Sequence, residues 1–169
     1  MRRRKPHNNT NAKGWFAMRA DELLARFRLE PHVEGGSFRE LDAGEERFPG
    51  RAPAGAIYYY LGPQEHSEFH VLDSDEYWLW HAGSSLEIWM VGEDGGMRTC
   101  RLGLNEGEEP CVLLRAGVIF GARHIPGAAD DGTLVSCVTA PRFSYEHYRI
   151  LPKAEMLEKY PGSAAFYEE

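Results

Sequence analysis

The sequence of 169 residues lacks several features that define other classes of protein. Three cysteines, Cys100, Cys111 and Cys137, are an odd number and lie in strand-like segments, so we interpret them as reduced thiols of a cytoplasmic protein. No apolar run is long enough to cross a bilayer, which predicts no membrane span. A glycine-rich phosphate loop, a nucleophile elbow and a Cys-x-x-Cys pair are also missing. Nucleotide-binding, α/β-hydrolase and thiol-redox functions therefore have no support.

The charge balance argues against a nucleic-acid-binding surface, because the net charge is −7. The first few residues form a basic cluster, which is followed by an Asn-rich stretch with no apolar segment. We interpret residues 1–17 as a flexible basic tail, with an arm for nucleic acid or membrane as the less favoured alternative. Residues 18–169 are expected to form a single domain, since 43% hydrophobic and 12% aromatic residues suffice for a packed core.

Short alternating segments separated by turns dominate the chain after Ala54. Alternation of side chains along a strand predicts strands at 55–61, 85–91, 97–102, 111–114, 118–122, 133–140 and 143–150. Helical spacing predicts one helix at 19–29 and another at 153–160. The pattern is typical of an all-β sandwich or barrel with a short helix at each end. Periodicity alone leaves a jelly roll and an immunoglobulin-like sandwich both open.

The stretch from His70 to Gly83 carries the strongest candidate for chemistry. It reads as a strand, a turn at 73–75 and a returning strand, because short Asp and Ser side chains favour turns. His70 lies on one face of the first strand, and Glu76 shares a face with Trp78 on the second. An imidazole and a carboxylate would therefore meet beside an indole ring.

The same stretch resembles the first signature of the cupin superfamily, whose histidine, glutamate and glycine correspond to His70, Glu76 and Gly83. The second signature falls at residues 115–120, where the usual proline is Arg115 and the usual histidine is Phe120. The resemblance implies a metal at four motif positions in other cupins. In this chain those positions hold His70, Leu72, Glu76 and Phe120, so only two of them match.

A narrower resemblance covers roughly residues 20–160. The segments 31–40, 56–59, 74–78 and 138–141 are similar to a family of small bacterial and fungal cupins, mostly of unknown function. This resemblance implies a double-stranded β-helix, or jelly-roll barrel, that assembles as a homodimer. It implies a pocket for a small-molecule ligand and does not imply a substrate.

These observations lead to the hypothesis that the protein is a metal-independent isomerase or epimerase acting on a sugar-like or oxo-acid substrate. In this hypothesis His70 abstracts a proton and Glu76 orients its ring. Tyr58 or Tyr60 supplies the counter-proton, by analogy with cupin-fold sugar epimerases that pair histidine with tyrosine. The competing interpretation of His70 and Glu76 is a buried pair that only holds the hairpin.

Five further residues are candidates for binding the substrate. Aromatic walls with a few polar groups are usual in small-molecule sites, which favours Trp78, Trp89 and Phe120. Glu34 and Arg39 flank the Gly35-Gly36 pair and are candidates for the mouth of the pocket.

Two other classes of function stay open. One is a non-catalytic cupin that binds a metabolite through its tryptophans. The other is a metal-dependent oxygenase or isomerase with two histidines and one carboxylate, which would need a strand irregularity to bring His81 or His124 to the divalent metal. We favour the metal-independent alternatives, and commit to no cofactor.

Overall fold

The structure is a computed structural model that describes residues 20–41, 50–125 and 132–168. The predicted tail, residues 1–17, lies outside the described residues. Helix α1 spans Ala20–Phe27 and helix α2 spans Lys153–Lys159. The strands are β1 (Glu30–Pro31), β2 (Ser37–Glu40), β3 (Gly55–Leu61), β4 (His66–Leu72), β5 (Asp75–Gly83), β6 (Leu86–Val91), β7 (Met97–Leu102), β8 (Cys111–Leu114), β9 (Phe120–His124), β10 (Thr133–Ala140) and β11 (Tyr148–Ile150).

The strands form two antiparallel sheets, which confirms the predicted all-β jelly-roll fold. One sheet has the order β1, β2, β3, β10, β5, β8, and the other has the order β11, β4, β9, β6, β7. Strand β10 is central in the first sheet and is buried over most of its length, so its run of Leu, Val and Cys side chains has apolar neighbours on both faces. The homodimer implied by the resemblance stays a prediction.

The space between the sheets is filled by large apolar side chains. Trp78, Phe120, Ile88 and Leu86 belong to this interior core and are almost fully buried. Burial of one such side chain contributes roughly 1.5–3 kcal/mol. Because this core occupies only part of the interior, it leaves room for a cavity beside it.

Helix α1 covers the outer face of the first sheet. Leu23 and Phe27 are four residues apart and therefore lie on one side of the helix, where they pack against Tyr60 and Leu134. The predicted helix at 19–29 is confirmed, and it ends at Phe27. No helix in the described ranges has the length and apolar character needed to cross a bilayer.

The second sheet is covered by the C-terminal segment. Helix α2 and a 3₁₀ helix at Pro161–Tyr167 place Met156 and Phe166 against Phe69 and Trp89. The sequence does not predict this 3₁₀ helix, because the Pro161-Gly162 pair indicates the end of a helix at that point. It follows α2 directly and continues the cover over the sheet.

One predicted strand is largely wrong. Residues 143–150 are not one strand, since a 3₁₀ helix at Tyr145–His147 precedes the short strand β11. The cause is local, because the Ser144 hydroxyl accepts a hydrogen bond from the Glu146 backbone N–H and so caps a turn. The same turn places residues 143–146 beside the cavity.

The turn between β1 and β2 requires glycine at two positions. Gly35 and Gly36 both have positive φ, at 104° and 68°. A Cβ on Gly35 would collide with the His66 carbonyl oxygen, and one on Gly36 would collide with the Tyr60 carbonyl oxygen. The turn therefore packs directly on strands β3 and β4, which only glycine allows.

We expect Gly35→Ala to lower the free energy of unfolding by about 2–4 kcal/mol, because backbone strain and a backbone collision add together. Gly107→Ala is the matched control. Gly107 has φ of 80° and no atom near its Cβ position, so we expect a loss of about 1 kcal/mol from strain alone. Urea denaturation of both variants measures the difference. Equal losses would contradict the close packing of the turn.

Candidate functional site

An open cavity of about 590 Å³ lies between the two sheets at one end of the barrel. Strands β2, β3, β4, β5 and β10 contribute to its wall, together with the β1–β2 turn and the segment after β10. The polar residues of its interior include His32, Glu34, His70, Glu76 and Cys137. The cavity therefore joins both residues of the predicted pair to three groups from elsewhere in the chain.

His70 lies on β4, with 2% of its surface exposed. Its Nδ1 atom is 2.8 Å from the Glu68 carbonyl oxygen. Because a carbonyl only accepts, we assign the proton to Nδ1, which leaves Nε2 with a free lone pair. In the described part of the chain Nε2 makes no hydrogen bond. The ring is held on its other side by Phe120, at 4.2 Å between centroids.

The carboxylate beside the His70 ring is Glu34, not Glu76 as predicted. Glu34 Oε2 lies 3.5 Å from His70 Nδ1 and accepts a hydrogen bond of 2.9 Å from the Ser67 hydroxyl. The same oxygen is 3.9 Å from Nδ1 of His32. Six residues separate His70 from Glu76 in sequence, whereas Glu34 reaches the ring from a distant turn. Spacing along the chain therefore does not reveal this partner.

The turn that carries Glu34 is fastened to two strands. The Glu34 carbonyl accepts a hydrogen bond of 2.9 Å from the Glu68 backbone N–H on β4. The Tyr59 hydroxyl on β3 donates a hydrogen bond of 2.8 Å to the Gly35 carbonyl. These contacts and the close approach of the two glycines give the Glu34 side chain a fixed place at the cavity.

Glu76 lies on β5 beside the Trp78 and Cys137 side chains and makes no ion pair with a described residue. Burial and the nearby charge of Glu34 raise the pKa of Glu76 to about 8. Contacts with Trp78 and Cys137 act to lower this pKa, but their effect is smaller. At neutral pH this carboxyl group is therefore mostly protonated. Burial, with the charge of Glu76, also raises the pKa of the Cys137 thiol, so Cys137 is not a reactive thiolate.

Tyr58 and Tyr60 lie outside the cavity, so their predicted position opposite His70 is wrong. Tyr58 packs against Phe27 on the outer face of the sheet, and Tyr60 is buried beneath α1. Both faces of β3 carry aromatic residues, so alternation alone could not tell the inner face from the outer one. Of the tyrosines on β3, Tyr59 is the one that lines the cavity, and burial raises the pKa of its hydroxyl well above its usual value.

The predicted substrate-binding residues divide into three groups. Glu34 and Trp78 line the cavity, as expected. Phe120 lies beneath it, in contact with the His70 ring. Trp89 and Arg39 face outward, which contradicts their predicted place in the pocket.

The outward direction of these two side chains has a simple cause. Ile88 and Met90 occupy the inner face of β6, so Trp89 between them is directed to the opposite face, where it packs under the C-terminal segment. Phe38 takes the inner position of β2, and Arg39 next to it lies over the outer Tyr58 ring.

The residues present do not fit the metal site of other cupins. Among the described residues no group of three or more His, Cys, Asp or Glu side chains is arranged to hold a metal ion. A β-bulge does occur at His81, but its Nε2 lies 2.6 Å from the Ser136 hydroxyl, beside the outer Tyr58. His124 lies opposite Leu86, four residues along β9 from the site of Phe120. We therefore derive no chemical step through a metal.

Arg51 and Arg142 stand at the mouth of the cavity and were missed from sequence. Arg51 donates to the Asp73 carboxylate at 2.8 Å and to the Arg142 carbonyl oxygen at 2.8 Å. The Arg142 guanidinium in turn pairs with Glu40. Arg51 precedes β3 and Arg142 follows β10, so no local motif connects them.

The geometry defines a cupin-type barrel with an open cavity between its sheets. The chain belongs to the family DUF985 of the cupin superfamily, and the model of this family matches residues 21–151. No curated protein matches the chain in sequence.

Solved structures support the same assignment. A protein from Shewanella oneidensis is 36% identical and superposes with a TM-score of 0.79 over 88% of this chain and 94% of that chain. A hypothetical protein from Leishmania major is 30% identical, with a TM-score of 0.75 over 85% and 93% of the two chains. Oxalate decarboxylase from Bacillus subtilis is 17% identical over 78% of this chain and 34% of that chain, with a TM-score of 0.56, and shares the fold alone.

The raised pKa of Glu76 predicts a specific dependence of stability on pH. Between the ordinary pKa of 4.5 and about 8, folded Glu76 holds a proton that the unfolded chain loses. Its contribution to the free energy of unfolding is therefore full below pH 4.5 and is lost as the pH rises to about 8. We expect the wild type to lose on the order of 1 kcal/mol per pH unit relative to Glu76→Gln in this window.

Urea denaturation across this pH window compares the two proteins. Glu146→Gln, at the exposed mouth of the same cavity, is the control and should follow the wild type. Parallel pH profiles for the wild type and Glu76→Gln would show that the carboxyl of Glu76 is ionised in the folded protein.

Proposed function

We propose that this cupin is a metal-independent isomerase or epimerase that acts at a carbon next to a carbonyl group. The observation that carries the proposal is the Nδ1–H of His70 bonded to the Glu68 carbonyl, which leaves the Nε2 lone pair for a ligand in the cavity. A neutral imidazole with one free nitrogen is suited to accept a proton during catalysis. Its burial keeps bulk water away from most of the ring.

Glu34 supports His70 in this role. When Nε2 takes a proton, the ring becomes positively charged in a buried place. The Glu34 carboxylate, 3.5 Å from Nδ1, stabilises that charge. The Ser67 hydroxyl holds the same oxygen of Glu34, so the carboxylate is oriented before the substrate arrives.

Glu76 replaces the tyrosines as the proton donor in this proposal. His70 Nε2 takes the proton from the carbon, and the electron pair of that C–H bond forms a carbon–carbon double bond. The carbonyl electrons move to oxygen, which takes the proton of the Glu76 carboxyl. Return of the His70 proton to the neighbouring carbon of the enediol, while the hydroxyl on the deprotonated carbon gives its proton to Glu76, yields the isomer. Protonation of the deprotonated carbon by water on the face opposite His70, with the His70 proton passed to solvent and the enol proton returned to Glu76, yields the epimer. Atoms and charges balance without an oxidant.

Hydrogen–deuterium exchange at carbon tests the proposal without knowledge of the product. The protein is incubated in D₂O with a panel of aldoses, ketoses and oxo acids, and deuterium at the carbon next to the carbonyl is measured by mass spectrometry. We expect incorporation into at least one compound, unaffected by a metal chelator. His70→Gln should lower the rate by about 10²–10⁴-fold, because a positioned general base contributes that much.

His147→Gln is the matched control, since it removes an exposed histidine that does not line the cavity. Its exchange rate should equal that of the wild type. Exchange that continues unchanged in His70→Gln would refute the assignment of the base. A compound that binds in the cavity without any exchange would favour the non-catalytic alternative.

A further inference from the structure

The positive groups at the mouth of the cavity are already paired within the protein. Arg51 uses its guanidinium to hold the Asp73 carboxylate, the Ser74 hydroxyl and the Arg142 carbonyl. Arg142 is paired with Glu40. The charge of each guanidinium is therefore already offset by a carboxylate of the protein.

The interior of the cavity carries negative rather than positive charge. Glu34 contributes a carboxylate to its deeper part and Glu146 adds one at the mouth, while Glu76 beside Glu34 is mostly protonated near neutral pH. Burial lowers the pKa of His32 despite the opposing charge of Glu34, so this ring is mostly neutral near pH 7. No lysine belongs to the described lining. A phosphate or carboxylate inside would meet the like charge of Glu34, which weakens its binding.

Much of the remaining wall is apolar, and several of its side chains are aromatic. Trp78 and Phe38 lie in the interior, and Phe143 and Tyr145 stand near the mouth with their centroids 4.8 Å apart. Tyr145 is 62% exposed, which is unusual for so large a side chain. Aromatic faces pack against apolar C–H surfaces, while carboxyl groups accept hydrogen bonds from hydroxyl groups. This combination suits a molecule with an apolar face and many hydroxyl groups.

We infer that the cavity takes an uncharged sugar, with neither a phosphate nor a carboxylate group. The inference rests on the proposed function only in placing the ligand beside His70, and it narrows the substrate class to neutral carbonyl sugars. It excludes sugar phosphates, nucleotide-linked sugars and oxo acids. The hydroxyl groups of the sugar bond to Glu34 and Glu76, and one face of its ring lies against the aromatic side chains of the wall.

Binding measured on the full chain tests this inference. The probe is the indole N–H resonance of Trp78 in ¹⁵N-labelled protein, assigned with Trp78→Phe. It is titrated with glucose, galactose and mannose, and with the 6-phosphate and the uronate of each. We expect at least one neutral sugar to shift this resonance, and its charged counterparts to bind at least about tenfold more weakly.

A charge variant separates repulsion from a poor fit. Glu40→Gln releases Arg142 from its partner and removes a negative charge from the mouth. It should therefore tighten binding of the phosphate and uronate by about tenfold or more and leave the neutral sugar nearly unchanged. Glu158→Gln, outside the lining, is the matched control and should change neither.

Two results would overturn the inference: a charged sugar that binds as tightly as its neutral counterpart, or a panel in which no neutral sugar shifts the resonance. The proposed function can fail separately, because neutral sugars that bind without deuterium exchange support this inference and not catalysis. Deuterium exchange that occurs only with oxo acids would support catalysis and contradict this inference.

Discussion

The contact between Glu34 and the His70 ring is the interaction on which the site depends. It requires a turn that brings a carboxylate from the first sheet against a histidine of the second. Gly35 and Gly36 allow that approach, and the Tyr59 hydroxyl and the Glu68 backbone N–H hold it in place. Burial of the two groups is offset by hydrogen bonds from β4, where the Glu68 carbonyl accepts from His70 Nδ1 and the Ser67 hydroxyl donates to Glu34.

The same geometry explains how a cupin barrel can lack the usual metal-binding residues. Phe120 and Leu72 occupy two of the motif positions and belong to the apolar core. The Phe120 ring lies against His70 and fixes its orientation by contact. Oxalate decarboxylase, which shares the fold at 17% identity, therefore gives no guide to the chemistry of this chain. The electrostatics of the cavity come from its own carboxyl groups, one of which raises the pKa of another.

The fold was predictable from sequence because its signals are local and repeated. Alternating segments identified most strands, and the motif around His70 and Glu76 selected the cupin barrel from other β architectures. The motif also identified two residues of the cavity. The inner face of β3 was not predictable, because Tyr58, Tyr59 and Tyr60 are consecutive and all aromatic, so hydrophobicity does not distinguish one face from the other.

The partner of His70 was hidden for a different reason. Glu34 and His70 are joined only by tertiary packing of the β1–β2 turn, and a glycine pair indicates a bend without indicating what it approaches. The arginines at the mouth were missed on the same grounds, since Arg51 and Arg142 meet through a backbone carbonyl that no sequence motif describes. Trp89 shows the opposite error, in which an aromatic residue typical of binding sites packs instead beneath the C-terminal segment.

The protonation state of the His70 ring tests the central claim most directly. Long-range ¹H–¹⁵N correlation spectra of the imidazole distinguish a protonated nitrogen from one that carries a free lone pair. Our account predicts that the neutral His70 ring carries its proton on Nδ1, opposite the Glu68 carbonyl, and none on Nε2. A neutral ring with its proton on Nε2 would contradict the account, because Nε2 could then no longer act as the base.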